Sequence, residues 1–181
     1  LNVPLDSNLN IIDTKKIDES LKTIKYLIDN NAKIILEENV KLGCEDDFTL
    51  LSLAKTYSNL DMFEKAEKTI KKVIKRNPEN LDYISDLTDI YIKEKLYDEA
   101  LNLVKNTVKS NPNYVYGYVL GAKTAYLNND YNLTKEYAQE ALSLDMNCSE
   151  GYYYLALVRL NEEDYDVYFS KTLVKNCKYL E

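Results

Sequence analysis

Two Asn-Pro pairs, Asn77-Pro78 and Asn111-Pro112, stand 34 residues apart, and the residues around them keep step over most of the chain. A fixed period of roughly 20–50 residues constrains a fold severely, because each repeat is one supersecondary unit that buries its apolar face only against its neighbours. The same step carries Ala32 onto Ala66, Ala100, Thr134 and Tyr168, and Ser20 onto Ala54, Thr88, Ala122 and Ala156. Small side chains recur in such columns because two helices cross closely only where side chains are short. Large apolar residues fill the columns beside them: Leu50, Ile84, Tyr118, Tyr152, then Leu53, Leu87, Gly121, Leu155, then Tyr57 and Tyr91. Spacings of three and four place these on one face of a helix. A further column, Phe63, Tyr97, Tyr131, Tyr165, opens a second helix, and Ile70, Val104 and Ala138 continue its buried face. Asp61, three residues before Glu64, has the form of a capping box.

The spacing predicts helices over roughly 14–28, 31–42, 46–59, 63–76, 80–93, 97–110, 114–127, 131–144, 148–161 and 164–179. The expected fold is all-α, a right-handed α-solenoid of about five antiparallel helix pairs with a 34-residue period. Residues 1–12, with Pro4, read as a lead-in segment or linker. Residues 13–181 read as the array, divided into a degenerate unit 13–46, units 47–80, 81–114 and 115–148, and a capping or truncated unit 149–181. The last helix serves either as a cap or as the join to further repeats. A chain that starts at Leu1 is expected to be a piece of a longer protein.

The residues Leu50, Leu53-Ala54, Tyr57, Ala66, Ile70 and Pro78, repeated as Ile84, Leu87-Thr88, Tyr91, Ala100, Val104 and Pro112, resemble the tetratricopeptide repeat family. The third copy keeps Tyr118, Gly121-Ala122 and Ala138 but has Met146 for the proline, and the fourth keeps Tyr152, Leu155-Ala156 and Tyr165. The resemblance implies a protein-interaction scaffold whose first helices line a concave groove. By register the groove residues are Phe48, Leu51 and Lys55; Asp82, Ser85 and Asp89; Tyr116, Val119, Lys123 and Tyr126; and Glu150, Tyr153 and Leu157. The tyrosines offer flat apolar area and the charges a register for an extended peptide or a partner helix. Tyr126 alternatively packs on the next pair. Members that grip a chaperone's C-terminal carboxylate use paired basic and amide residues in this groove. The matching places here hold Leu51 and Lys55, Asp86, and Tyr116 and Leu120, so no such clamp is expected.

Nothing in the sequence points to catalysis. Histidine, the commonest general base and metal ligand near neutral pH, is absent from the 181 residues. The four glycines form no phosphate-binding loop, and Cys44, Cys148 and Cys177 fit neither a zinc site nor a redox pair. The expectation is no enzyme, no cofactor, no metal and three free thiols in a cytoplasmic protein. Carboxylates at Glu45-Asp46-Asp47 fall at a helix start, where they complement the helix dipole. A net charge of −7 disfavours nucleic acid and anionic membrane as partners. The one basic cluster, Lys65, Lys68, Lys71, Lys72, Lys75 and Arg76, reads as a solvated face or as a dock for an acidic partner. Two alternatives to a free-standing scaffold are the regulatory part of a larger enzyme, such as a glycosyltransferase, and self-association through apolar surface on a terminal pair to give a homodimer.

Overall fold

The computed structural model describes residues 14–161. They form eight helices: α1 (Thr14–Lys41), α2 (Asp47–Asn59), α3 (Phe63–Arg76), α4 (Leu81–Glu94), α5 (Tyr97–Ser110), α6 (Val115–Leu127), α7 (Tyr131–Leu144) and α8 (Ser149–Asn161). From α2 onward the bounds fall within a residue of those the spacing predicts. The expected helix over 164–179 lies outside the described residues.

Each repeat is built from the same local devices. Within each pair the turn hangs on one left-handed residue, at Asp61, Lys95 and Asn129, again 34 residues apart. Asp61 is therefore a turn residue and not the cap expected of it: Met62 holds the N-cap position before α3 and makes no side-chain cap. Between pairs, a backbone turn closes from Asn80 N to Asn77 O at 3.2 Å, from Tyr114 N to Asn111 O at 3.0 Å and from Cys148 N to Asp145 O at 3.0 Å. The third of these holds although Met146 replaces the proline, so proline stiffens this turn without being required for it. Asp46 caps α2, accepting from the Thr49 amide at 3.0 Å and its hydroxyl at 2.6 Å. Those two bonds hold the Asp46 carboxyl below the usual aspartate range.

The small columns are where the helices meet. Ala54, Ala66, Ala100, Ala122, Thr134 and Ala138 are fully buried. Threonine is tolerated among the alanines because its hydroxyl bonds back one turn, Thr88 to Ile84 O at 2.9 Å and Thr134 to Asp130 O at 2.7 Å, leaving no unsatisfied donor. Leu53, Tyr57, Ile70, Leu87 and Ile90 fill the space between α2, α3 and α4. Consecutive first helices touch, α2 with α4, α4 with α6 and α6 with α8, whereas consecutive second helices do not. The array consequently bends toward its first helices, and their free side is the inner one.

The start of the chain departs from the expected pair. Residues 14–41 form one continuous helix where two, over 14–28 and 31–42, were expected. No Gly or Pro interrupts the run. Between the two expected helices the Asn30 amide donates back to Tyr26 O at 3.0 Å, and Lys33 donates to Asn30 Oδ1 at 3.2 Å, so the asparagine there supports one continuous helix. Only the later part of α1 meets α2. Leu36 and Val40 pack on the first core cluster, the Tyr57 hydroxyl donates to Glu37 at 2.7 Å, and the Asn59 amide donates to Asp29 at 3.3 Å. Ser20, aligned with the buried small column, is exposed.

Candidate partner-binding groove

The inner surface is made by α2, α4, α6 and α8, each supplying the helix side not spent on its own pair. Phe48, in the first turn of α2, is 79% exposed, and Tyr116, in the first turn of α6, is 46% exposed. Neither is needed to hold the repeats together, and both stand at the same end of their helices. The partly buried Tyr116 ring, facing Asp89 and Asp86, has its hydroxyl pKa raised. Its edge meets Tyr114, with centroids 6.3 Å apart.

The expected charges are present but largely tied to one another. Lys55 of α2 reaches Asp86 of α4 at 3.0 Å, and Lys123 of α6 reaches Asp89 of α4 at 2.7 Å. Lys55, Asp89 and Lys123 occupy one column, 34 residues apart, with alternating sign. They stitch adjacent first helices instead of waiting unpaired for a ligand. These pairs are part-exposed and contribute on the order of 0–1 kcal/mol each. Asp82, exposed in the first turn of α4, complements that helix's dipole beside the Asn80 cap.

Two expected groove residues are not available. Val119 is only 6% exposed, packed with Ala141 and Cys148 under Val115, Leu142 and Tyr154. Ser85 is buried with its hydroxyl 2.8 Å from that of Tyr114 at the start of α6. Their column, Leu51, Ser85, Val119, Tyr153, points at the join between adjacent repeats, where small and medium side chains vanish beneath the next unit. Leu51 is half-buried against the first core cluster. Tyr153 is large enough to remain half-exposed, edge-on to Tyr154 at 5.2 Å. Tyr126 takes the packing alternative, 5.8 Å from the Tyr131 ring and 6.2 Å from that of Tyr154. Glu150 accepts from the Ser149 hydroxyl at 2.9 Å, and Leu157 is half-buried on α8. Asp86, which the register placed only among the clamp positions of this groove, and Tyr114, which it did not assign there, complete the surface. The opposite sign at a 31-residue step from Lys55 was the available signal for Asp86.

On the outer side, splaying of the second helices leaves a depression of about 920 Å³ between α5 and α7, lined in part by Lys105, Tyr118, Tyr137 and Glu140. The basic face of α3 is partly paired. Arg76 donates to Glu45 O at 2.6 Å and to Asp47 at 3.3 Å, Lys71 to Glu67, and Lys65 lies 5.4 Å above the Tyr57 ring. Among the described residues, no three His, Cys, Asp or Glu side chains cluster to hold a metal, and no helix is long and apolar enough to cross a membrane.

The architecture is shared with solved structures. A tetratricopeptide protein of Thermus thermophilus, TTC0263, superposes with a TM-score of 0.65 at 21% identity, over 89% of this chain and 91% of its own. MamA from Desulfovibrio magneticus superposes with a TM-score of 0.63 at 18% identity, over 93% of this chain and 98% of that one. The fold is the tetratricopeptide solenoid. A different likeness covers its beginning: the model of the phosphoglycerate kinase family matches residues 1–83. Phosphoglycerate kinases of Campylobacter curvus and Helicobacter pylori are 39% identical over 62 residues and 66% identical over 35 residues. The chain spans 16% and 9% of the length of these two enzymes, so the likeness is to a small part of them. The matched stretch takes in α1, which among the described elements is the one that departs from the expected helix pair.

Proposed function

We propose that this tetratricopeptide chain is a non-enzymatic protein-interaction scaffold that holds an extended peptide or a partner helix along the inner side of its first helices. The observation that carries the proposal is the exposure of Phe48 and Tyr116 on that side while the neighbouring charges pair among themselves. Exposed aromatic rings give up little conformational freedom on binding and bury much area, which is how anchor residues work. The ion-paired ladder between them is neutral, while Asp82 and Glu150 add negative charge to the same surface. It favours a partner of mixed character that carries some basic residues over a strongly acidic tail.

The test starts from peptides selected against the protein from a random display library and uses the Phe48→Ala, Tyr116→Ala double variant. Phe48 is largely exposed and Tyr116 about half so, its remaining contact being the edge of Tyr114; the variant should therefore stay folded with only a small downward shift of its melting curve. Binding should weaken at least tenfold, about 1.4 kcal/mol, whereas peptides held with unaltered affinity would place the site elsewhere. The match of residues 1–83 to phosphoglycerate kinase supports a second reading, in which the repeats scaffold an enzyme segment. Phosphoglycerate kinase assays on the polypeptide encoded by the complete gene separate the two.

A further inference from the structure

The depression between α5 and α7 is built from residues that the repeat does not require. Carried back 34 residues, the places of Leu101, Lys105, Tyr118 and Tyr137 hold Glu67, Lys71, Ile84 and Leu103. At that earlier step, between α3 and α5, Glu67 accepts from Lys71 and from the Tyr91 hydroxyl, so the charges are spent within the protein. One repeat later the glutamate has become Leu101, and Lys105 makes no ion pair among the described residues. Ile84 and Leu103 have become Tyr118 and Tyr137, two half-buried rings with centroids 6.4 Å apart and tilted by 53°. Tyrosines elsewhere in the array spend their hydroxyls between helices, Tyr57 on Glu37, Tyr91 on Glu67 and Tyr114 on Ser85. Those of Tyr118 and Tyr137 are bonded to no described residue. The charge around the rings is also unbalanced. Asp98 of α5 and Glu136 and Glu140 of α7, all exposed, face the single ammonium of Lys105, and none of the three carboxylates is ion-paired among the described residues. Where Glu136 and Glu140 stand, the preceding repeat carries the neutral Asn102 and Asn106.

We propose that this depression is a binding site separate from the inner groove, and that it takes an arginine side chain of a partner protein. Aromatic rings beside unpaired carboxylates are complementary to a cation, since the ring face is the negative end of its quadrupole and the carboxylates carry full charge. Arginine fits better than lysine. Its guanidinium is planar and stacks on a tyrosine face, and its fork of donors reaches a carboxylate and a hydroxyl at once. It is also more weakly hydrated than an ammonium, so an open depression recovers more of its desolvation cost. The guanidinium lies over the exposed faces of the Tyr118 and Tyr137 pair, with Asp98 on one side and Glu136 and Glu140 on the other. Leu101 and Leu133 give the same wall apolar area for the stem of the side chain. The volume of about 920 Å³ lies within the range of ligand sites and leaves room for the residues on either side of the arginine.

The test titrates the full chain with short glycine-serine peptides that differ in one central pair, Arg-Arg or Lys-Lys, and follows the tyrosine ring signals by NMR. The Arg-Arg peptide should shift the signals of Tyr118 and Tyr137 saturably, and the Lys-Lys peptide should bind about fivefold more weakly. The Glu136→Gln, Glu140→Gln variant should bind the Arg-Arg peptide about tenfold more weakly. Both side chains are exposed, so its circular dichroism stays that of the wild type. Tyr118→Ile, which gives the position the residue of the preceding repeat, should weaken the same peptide about fivefold. The Phe48→Ala, Tyr116→Ala variant should bind it as the wild type does, which separates this site from the inner groove. No saturable shift up to the solubility of the Arg-Arg peptide overturns the proposal. So do equal affinities for the two peptides, or full affinity in the double glutamine variant, either of which reduces the depression to a diffusely acidic surface. Loss of binding in the Phe48→Ala, Tyr116→Ala variant overturns it too, because the arginine is then held on the inner side.

Discussion

Gly121→Ala sets two well-understood effects against each other at one position. Gly121 lies within α6, where alanine is the better helix former by about 1 kcal/mol. Propensity alone therefore makes the substitution stabilising. A Cβ built at this glycine would, however, stand 2.7 Å from both Cγ and Cδ1 of Tyr137 and 2.9 Å from Cδ2. These atoms belong to the root of the ring and not to a flexible tip. The ring is half-buried and already packed against Tyr118, with centroids 6.4 Å apart, so its escape is costly. Overpacking of this kind costs about 1–3 kcal/mol, which leaves a net loss of about 1 kcal/mol after the propensity gain. For a chain of this size that lowers the melting temperature by roughly 2–4 °C, readable by circular dichroism at 222 nm. The decisive measurement is the same substitution in a Tyr137→Ala background. With the ring gone, the sign should reverse and Gly121→Ala should stabilise by up to about 1 kcal/mol. An increase in melting temperature in the wild-type background, or an equal loss in both, would refute the packing account.

Two further outcomes follow from buried polar groups. Tyr57 has its hydroxyl pKa raised from 10.0 to about 12, chiefly by burial and then by its bond to Glu37. A raised folded-state value means that this contribution is complete below the ordinary tyrosine pKa and is lost as the pH rises through about 12. Amide exchange over residues 29–41 should respond to Tyr57→Phe as to a loss of about 1 kcal/mol, a difference that disappears once the hydroxyl has ionised; unaltered exchange near neutral pH would show that the bond does not hold α1 in place. Cys44 is exposed and Cys148 buried, with the Cys148 thiol held above its usual range by burial. A thiol reagent should modify Cys44 rapidly and Cys148 only on unfolding, and equal rates by peptide mapping would contradict the packing of α8 on α7.

The repeats were legible in the sequence because four copies vote on every column. A position that holds Ala54, Thr88, Ala122 and Ala156 identifies a helix crossing even where one member differs, and the helix bounds follow from the same step. The groove was legible only in part. Register says which side of a helix a residue occupies but not how far the next repeat rolls over it. That rotation hides Val119 and Ser85 and leaves Phe48 in the open. It also decides that Lys55 and Lys123 find carboxylates on α4. The beginning was read least well, for a physical reason. Asn30-Asn31 looks like a break when judged by residue type, whereas the Asn30 side chain bonds within the helix, and a single degenerate copy gives no column to overrule the local signal.

The asymmetry between touching first helices and separated second helices has a mechanical side. Curling the array more tightly would drive α2, α4, α6 and α8 into one another, and interiors packed at crystal-like density resist compression. Straightening it meets no such steric stop, but it must pull apart the first-helix contacts and the Lys55–Asp86 and Lys123–Asp89 pairs. Flexion is thus opposed by collision, and extension by the loss of contacts that the inner surface holds.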